Sequence, residues 1–241
     1  MKAVILVAGI GSRIRPLTDN NHKTLLKVGG GKPILQRMLE NIQAVGIDEV
    51  AFITGYRADD IQNFVKENFP NLKTTFIHND KYLDTNTGYS VLLARDFVGN
   101  DTFLKFDGDV VFEKAVLEKL IENPFENCLC IDTNINLEAE EVKVTLDDKG
   151  QVLEVGKKLD PHKASGESIG IEKLGPEGGK VFFDELEKLM QDTANWKEYY
   201  DDTYTTLVEK GIPFGAADIT GLNWVEIDTH EDYSKANDLF S

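Results

Sequence analysis

The chain is short of cysteine, histidine, long apolar runs and positive charge, and each scarcity removes a class of function. Its two cysteines, Cys128 and Cys130, cannot staple a fold of 241 residues. They stand two apart in an apolar run, where a strand points both to one face and a bridge between positions i and i+2 is geometrically poor. They read as small buried hydrophobes of a reducing compartment. The four histidines, His22, His78, His162 and His230, are spread out without metal-ligand spacing. They read as ordinary surface or loop residues, His22 being the exception its position favours. No stretch approaches the roughly 18 apolar residues that read as a membrane span. The opening apolar run to Ala8 flows into a glycine and arginine loop instead of a cleavage site, so a cytoplasmic protein is expected. Lys and Arg number 26 against 42 Asp and Glu, a net charge of −16. That balance opposes broad contact with nucleic acid or anionic lipid, which both need cations to replace counterions. Any phosphate must be held in a local basic pocket.

With 41% hydrophobic and 28% charged residues, the chain fits one large globular domain. Strand-like runs alternate with helix-like segments through the first half, the pattern of βαβ units and a mostly parallel sheet. Strands are expected over Lys2–Val7, Glu49–Thr54, Thr74–His78 and Thr102–Phe106. Helices are expected over Ile34–Val45, Ala58–Phe69 and about Gly88–Asp96. Past residue 125 the pattern changes. Cys128–Thr133, Val142–Leu146 and Val152–Val155 read as antiparallel strands, with Asp148-Lys149-Gly150 as a hairpin turn. Helices follow over Val181–Met190, Asp202–Lys210 and His230–Phe240, with short strands over Phe214–Asp218 and Trp224–Glu226. One mixed α/β domain accounts for the whole.

The first strand runs into Leu6-Val7-Ala8-Gly9-Ile10-Gly11-Ser12-Arg13, where small residues let backbone N–H groups approach phosphate oxygens. The loop is neither the dinucleotide fingerprint, which needs a third glycine opening a helix, nor a P-loop, which ends in G-K-[ST]. Glycines alone would equally suit a tight turn. The cations of the following segment, Arg13, Arg15, Lys23 and Lys27, stand out in so acidic a chain and favour a triphosphate. Asp109, in Phe106-Asp107-Gly108-Asp109, follows an apolar strand at the edge where open α/β sheets bind ligands, although Asp-Gly-Asp is otherwise a common surface turn. Asp107 and Asp109, two apart, could share one side of extended chain.

The run from Leu6 to Thr18, with Lys23-Thr24-Leu25-Leu26-Lys27-Val28-Gly29-Gly30, closely resembles the signature of nucleotidyltransferases that activate sugar phosphates and alcohol phosphates. Most members have Pro-Lys where this chain has His22-Lys23, a departure that keeps the lysine but leaves the preceding backbone less constrained. The resemblance extends through Asp107-Gly108-Asp109 and Glu226-Ile227-Asp228-Thr229. It implies a single Rossmann-like, GT-A type domain with a mostly parallel mixed sheet and a smaller antiparallel portion on the acceptor side. Residues 1–125 would carry the nucleotide, and residues 126–241 the acceptor and the completion of a metal site. Thr87-Gly88-Tyr89-Ser90, Gly156-Lys157-Lys158-Leu159, Ser168-Ile169-Gly170-Ile171 and Tyr199-Tyr200-Asp201-Asp202 look most like the subgroup using CTP, which includes phosphocholine, aminoethylphosphonate and inositol-1-phosphate cytidylyltransferases.

Carried over, the resemblance implies Mg²⁺ on Asp109 and Asp228, with Asp107 a second ligand or a support and Glu226 supporting. Asp228-Thr229-x-Glu231 also reads as a helix cap. Arg13, Lys23 and Lys157 are expected to stabilise phosphoryl charge. Leu6, Ala8, Gly9, Gly11 and Ser12 would meet the nucleotide, and Thr87, Gly88 and Ser90 would close on its other edge, unless they only start a helix. Tyr199, Asp201 and Asp202 would bind the acceptor, since aromatic faces with carboxylates suit an ammonium, although Trp196, Tyr199 and Tyr200 also fit a core and Asp201 a helix cap. The expected reaction transfers CMP from CTP to a small phosphate or phosphonate acceptor of the phosphocholine or 2-aminoethylphosphonate type. A sugar-1-phosphate nucleotidylyltransferase using UTP, dTTP or GTP is the nearest rival, and the lack of a C-terminal β-helix disfavours it. An inactive nucleotide-binding regulator would not need Arg13, Lys23, Asp109 and Asp228 together.

Overall fold

Alternate residues of the first strand, β1 (Lys2–Val7), face opposite sides of a sheet, and both sides are apolar. Ala3, Ile5 and Val7 belong to one core cluster, Val4 and Leu6 to the other. The structure, a computed structural model, describes residues 1–134, 137 and 140–241. A small hairpin of β2 (Lys27–Val28) and β3 (Lys32–Pro33) follows β1 and leads into α1 (Ile34–Ala44). Then come β4 (Glu49–Thr54), α2 (Ala58–Asn68), β5 (Lys73–His78), α3 (Thr87–Leu92), α4 (Arg95–Val98) and β6 (Phe103–Asp107). Strands β6, β1, β4 and β5 pair in parallel in that order. Helices α1 and α2 bury Leu35, Met38, Leu39, Ile42, Ile61 and Val65 on one face of this sheet.

The second half changes direction. After β7 (Val110–Phe112) and α5 (Lys114–Glu122) come β8 (Asn127–Asp132), β9 (Lys143–Leu146), β10 (Val152–Gly156) and β11 (Gly166–Leu174). Strand β11 runs antiparallel to β6, β8 and β9 and joins the two halves into one nine-stranded sheet. Helices α6 (Pro176–Met190) and α7 (Asp202–Glu209) cover the second face, where Phe182, Phe183, Tyr200, Tyr204 and Phe214 stack. Strand β12 (Phe214–Asp218) lies parallel to β8. Strand β13 (Trp224–Glu226) pairs antiparallel with β7, and α8 (His230–Leu239) closes the chain over a third cluster that includes Ile14, Ile34, Val111 and Ile227. Among the described residues no helix is long and apolar enough to cross a membrane.

The expected mixed α/β architecture is therefore present, with additions that no expected element covers: the β2–β3 hairpin, β7, α5 and the nine-residue β11. Cys128 and Cys130 are both free and buried in the same cluster, as the i, i+2 spacing on a strand requires. Burial pushes the Cys128 thiol up to about 12, which keeps it protonated and inert. The cap of α8 is not Asp228 with Glu231. Thr229 accepts from the Asp232 N–H, and the Asp232 carboxylate accepts in return from the Thr229 N–H, a closed capping box.

Candidate active site

The carboxyl ends of β1 and β6 open into a cleft of ≈ 1030 Å³ whose walls come from both halves of the chain. At its floor Gly108 donates its N–H to Leu6 O at 3.1 Å. A Cβ at that position would stand 2.4 Å from the same oxygen, so only glycine lets β6 turn there and present an aspartate on each side. Gly11, with φ 67°, ends the phosphate loop in a left-handed conformation, within 3.1 Å of Lys23 Cβ if it bore a side chain.

Asp109 follows the turn. The β7–β13 ladder then sets Glu226 opposite Val110, and Ile227 N–H donates to Asp109 O at 3.1 Å. Carboxylate oxygens of Asp109, Glu226 and Asp228 thereby lie within 4.8 Å of one another. Lys23 bridges two of them, with Nζ 2.8 Å from Asp109 Oδ2 and 2.6 Å from Asp228 Oδ1, and Arg13 reaches Asp228 Oδ2 at 2.7 Å. Burial works against the Lys23 ammonium, yet Asp109 and Asp228 outweigh it and hold the lysine charged. Glu226 is exposed at the cleft mouth, and the loss of solvent among its crowded neighbours, followed by the charges of Asp109, Asp228 and Asp107, raises its carboxyl above the ordinary range. Three crowded oxygen ligands with surplus negative charge form a donor set that fits a hard divalent cation.

Asp107 stands apart from this trio. Tyr200 donates its hydroxyl to Asp107 Oδ2 at 2.5 Å, and Lys105 Nζ lies 3.2 Å from Oδ1. Lys105 is fully buried and also pairs with the buried Glu172 across the β6–β11 ladder at 2.9 Å. Asp107 therefore faces a buried polar network behind the cleft floor, and the carboxylate that joins Asp109 and Asp228 is Glu226.

The histidine before Lys23 is no surface residue. His22 is 2% exposed, and Thr24 N–H donates to its Nδ1 at 3.2 Å. That bond leaves the proton on Nε2, which donates to Val7 O at 3.1 Å. Burial lowers the imidazole to about 4, so it is neutral near pH 7. One hydrogen bond thus ties the Lys23 turn to the end of β1 and a second closes the turn on itself, so the backbone that loses proline's constraint is held by a side chain instead.

Leu6, Ala8, Gly9, Gly11, Ser12 and Arg13 line the cleft together with Lys23. Arg15 and Lys27 are exposed away from it, Arg15 beside Asp19. Thr87 and Ser90 line the opposite edge, at the start of α3, which is capped by Asn86. Asn79 Nδ2 donates to the buried Ser90 hydroxyl at 3.1 Å, leaving Ser90 its own proton to give. Gly88 lies behind this edge, packed on Met190 and Glu198. On the acceptor side Lys157, Tyr199 and Asp201 line the cleft, with Lys157 Nζ 4.7 Å from the Tyr199 ring centroid. Asp201 occupies the cap position of α7, but its side chain makes no capping bond. Burial pushes its carboxyl up to about 7. Asp202 is exposed outside the cleft and abuts Gly156. Trp196 donates its indole N–H to Met190 O at 3.0 Å and packs on Tyr89.

Such a cleft, with a glycine loop, a bridging lysine and a carboxylate trio at the edge of a parallel sheet, has the charges and backbone donors that suit phosphate esters. Residues 2–141 match the Nucleotidyl transferase family, and the chain belongs to it. It is 30% identical over 252 residues to the CMP-5'-(3-aminopropyl)phosphonate synthase of Streptomyces rubellomurinus, covering all of this chain and 39% of that protein's length. It is 29% identical over 255 residues to the CTP:phosphoglutamine cytidylyltransferase of Campylobacter jejuni, covering 96% of this chain and 97% of that one. The fold is similar to that of the inositol-1-phosphate CTP transferase from T. maritima, with a TM-score of 0.83 and 18% identity over 99% of this chain and 94% of that one.

Proposed function

We propose that the protein is a Mg²⁺-dependent cytidylyltransferase that transfers CMP from CTP to a small phosphate or phosphonate acceptor, of the phosphocholine or 2-aminoethylphosphonate type. The observation that carries this reading is the convergence of Lys23 and Arg13 with Asp109, Glu226 and Asp228 beside the glycine loop. Cations for phosphates and carboxylates for a metal serve nucleotidyl transfer together, whereas nucleotide binding alone does not require both. Relatives named for CTP or for a CMP-linked product support the choice of nucleotide.

An oxygen of the acceptor's phosphate or phosphonate attacks the α-phosphorus of CTP. The new O–P bond forms as the bond to the β-phosphate oxygen breaks, and pyrophosphate leaves in line. The acceptor oxygen is already ionised near neutral pH, so no general base is needed, in keeping with a cleft whose one buried histidine is committed to Val7 and Thr24. Arg13, Lys23 and Lys157 hold the phosphates and balance the charge that develops on them. Asp109 and Asp228, with Glu226, would hold Mg²⁺, which would supply charge neutralisation for the triphosphate. The Ser90 hydroxyl, fixed by Asn79, offers a donor to the pyrimidine, and Tyr199 with Asp201 forms part of the acceptor wall.

A matrix assay tests this reading: pyrophosphate release with CTP, UTP, dTTP or GTP against phosphocholine, 2-aminoethylphosphonate, inositol-1-phosphate and glucose-1-phosphate. Turnover is expected with CTP and an amine-bearing acceptor and is lost on chelation of Mg²⁺. Turnover confined to UTP or dTTP with glucose-1-phosphate overturns it.

A further inference from the structure

The cleft wall remote from the phosphate loop is acidic. Strand β11 starts there, and its Glu167 pairs in register with Asp132 of β8. Glu167 is 7% exposed and lines the cleft, and its side chain has no hydrogen bond or ion pair among the described residues. Asp132 is fully engaged, accepting from Trp224 Nε1 at 2.8 Å and from the Asn134 N–H at 2.9 Å. The nearby Lys143 ammonium donates to the backbone oxygens of Glu141 and Lys157. A carboxylate so enclosed beside others is costly without a counterion. Burial, and then the charges of Glu141 and Asp132, push the Glu167 carboxyl up to about 7. Asp201 differs, because after burial the strongest influence on it is the buried ammonium of Lys105. Lys143 and Lys235 offset this only in part, so a cation placed against Glu167 would favour its ionised form.

We infer that Glu167, backed by Asp132 and beside Trp224, receives a positively charged amino group carried by the acceptor at the end remote from its phosphate or phosphonate. The inference rests on the nucleotidyl-transfer reading above and names the acceptor class more narrowly, as an aminoalkyl phosphate or phosphonate. The span is suitable. Gly170 packs directly on Asp107 at the cleft floor, next to the Gly108 turn. Glu167 lies three residues earlier on the same strand, across the irregularity at the left-handed Gly170, so the separation is at most the roughly 10 Å of an extended run. A short alkyl chain with a polar contact at each end bridges that distance. A neutral polyol would donate hydrogen bonds to Glu167 but leave its charge beside Asp132 uncompensated, whereas an ammonium does both.

The test compares two acceptors of equal length, 3-aminopropylphosphonate and n-propylphosphonate, by steady-state pyrophosphate release with CTP and Mg²⁺. The wild-type KM is expected to be at least tenfold lower for the amine. Glu167→Gln should raise the amine's KM at least tenfold while the KM values for CTP and n-propylphosphonate stay within twofold, and Glu167→Asp should restore part of the preference. Equal KM values for the two acceptors in the wild type overturn the inference whether or not a variant folds. So does a Glu167→Gln effect that is absent or the same on both acceptors. In these cases transfer from CTP persists and the functional reading stands. No transfer from CTP to either phosphonate or to phosphocholine sinks that reading, and the inference with it.

Discussion

Replacing Asp109 by alanine is expected to reduce nucleotidyl transfer by about three orders of magnitude or more, with no recovery at high Mg²⁺, because the loss falls on charge stabilisation in the transition state. Asp109 is the member of the carboxylate trio that β6 itself presents, beside the Gly108 turn, and it shares Lys23 with Asp228. Its removal leaves Glu226 and Asp228 without the third oxygen of the trio. The fold should persist, since Asp109 stands at an accessible turn with a side chain 26% exposed. Asp109→Asn, which keeps shape but not charge, should fall almost as far. The measurements are kcat and KM for CTP, with thermal melting as the control for folding. A kcat within tenfold of wild type would remove Asp109 from the metal site.

The second large effect is on stability. Lys105 is buried with its ammonium among Asp107, Glu172 and the Tyr200 hydroxyl. Burial alone would lower its pKa, but the surrounding carboxylates hold it above the ordinary lysine value. In Lys105→Met those carboxylates lose their cation. Breaking a buried pair from one side costs about 3–5 kcal/mol, to be read from urea unfolding. Burial already pushes Glu172 up to about 8 and Asp201 up to about 7. An acid raised in the folded state binds more protons there than in the unfolded chain, so its stabilising contribution is complete below about pH 4 and is lost as pH rises through the folded value. Without Lys105 both values climb further, and the deficit of the variant should be larger at pH 8 than at pH 5. A second change, Glu172→Leu, should recover part of the loss, because the paired charges vanish together. A single variant as stable as wild type at pH 8 would show that Lys105 is not the charge that balances this network.

Some elements of this fold carry a local sequence signal and others do not. Expected strands over Lys2–Val7, Glu49–Thr54, Phe214–Asp218 and Trp224–Glu226 coincide with β1, β4, β12 and β13, because apolar runs bounded by turn residues carry their own limits. Strand β11 does not announce itself. All nine of its residues are buried, yet Glu167, Glu172 and Lys173 interrupt the apolar pattern, and Glu172 is tolerated only because Lys105 meets it from β6. That is a tertiary fact without a local signal. Helix α5 is a different case, since Val116, Leu117 and Leu120 do show helical spacing.

The candidate site divides in the same way. The lysine and the aspartates are legible as residue types in a recognisable order. The place of Glu226 within the trio depends on the β7–β13 register, and that of Asp107 outside it on Tyr200. His22 reads as a lost constraint in one dimension and as a substitute constraint in three.

Lys23 gives the ligand-free protein an internal stand-in for a metal. Its ammonium occupies the space between Asp109 and Asp228, so a cation arriving alone must evict it, while a metal–nucleotide pair offers each partner a replacement: phosphate for the lysine, metal for the acids. Binding is then an exchange rather than an addition, and the two ligands are expected to help one another thermodynamically. Mn²⁺ titrated by paramagnetic resonance should bind at least tenfold more tightly with CTP present than without it, and Lys23→Met should shrink that gap chiefly by tightening the bare ion. Equal affinities in both conditions would show that the lysine is no such placeholder.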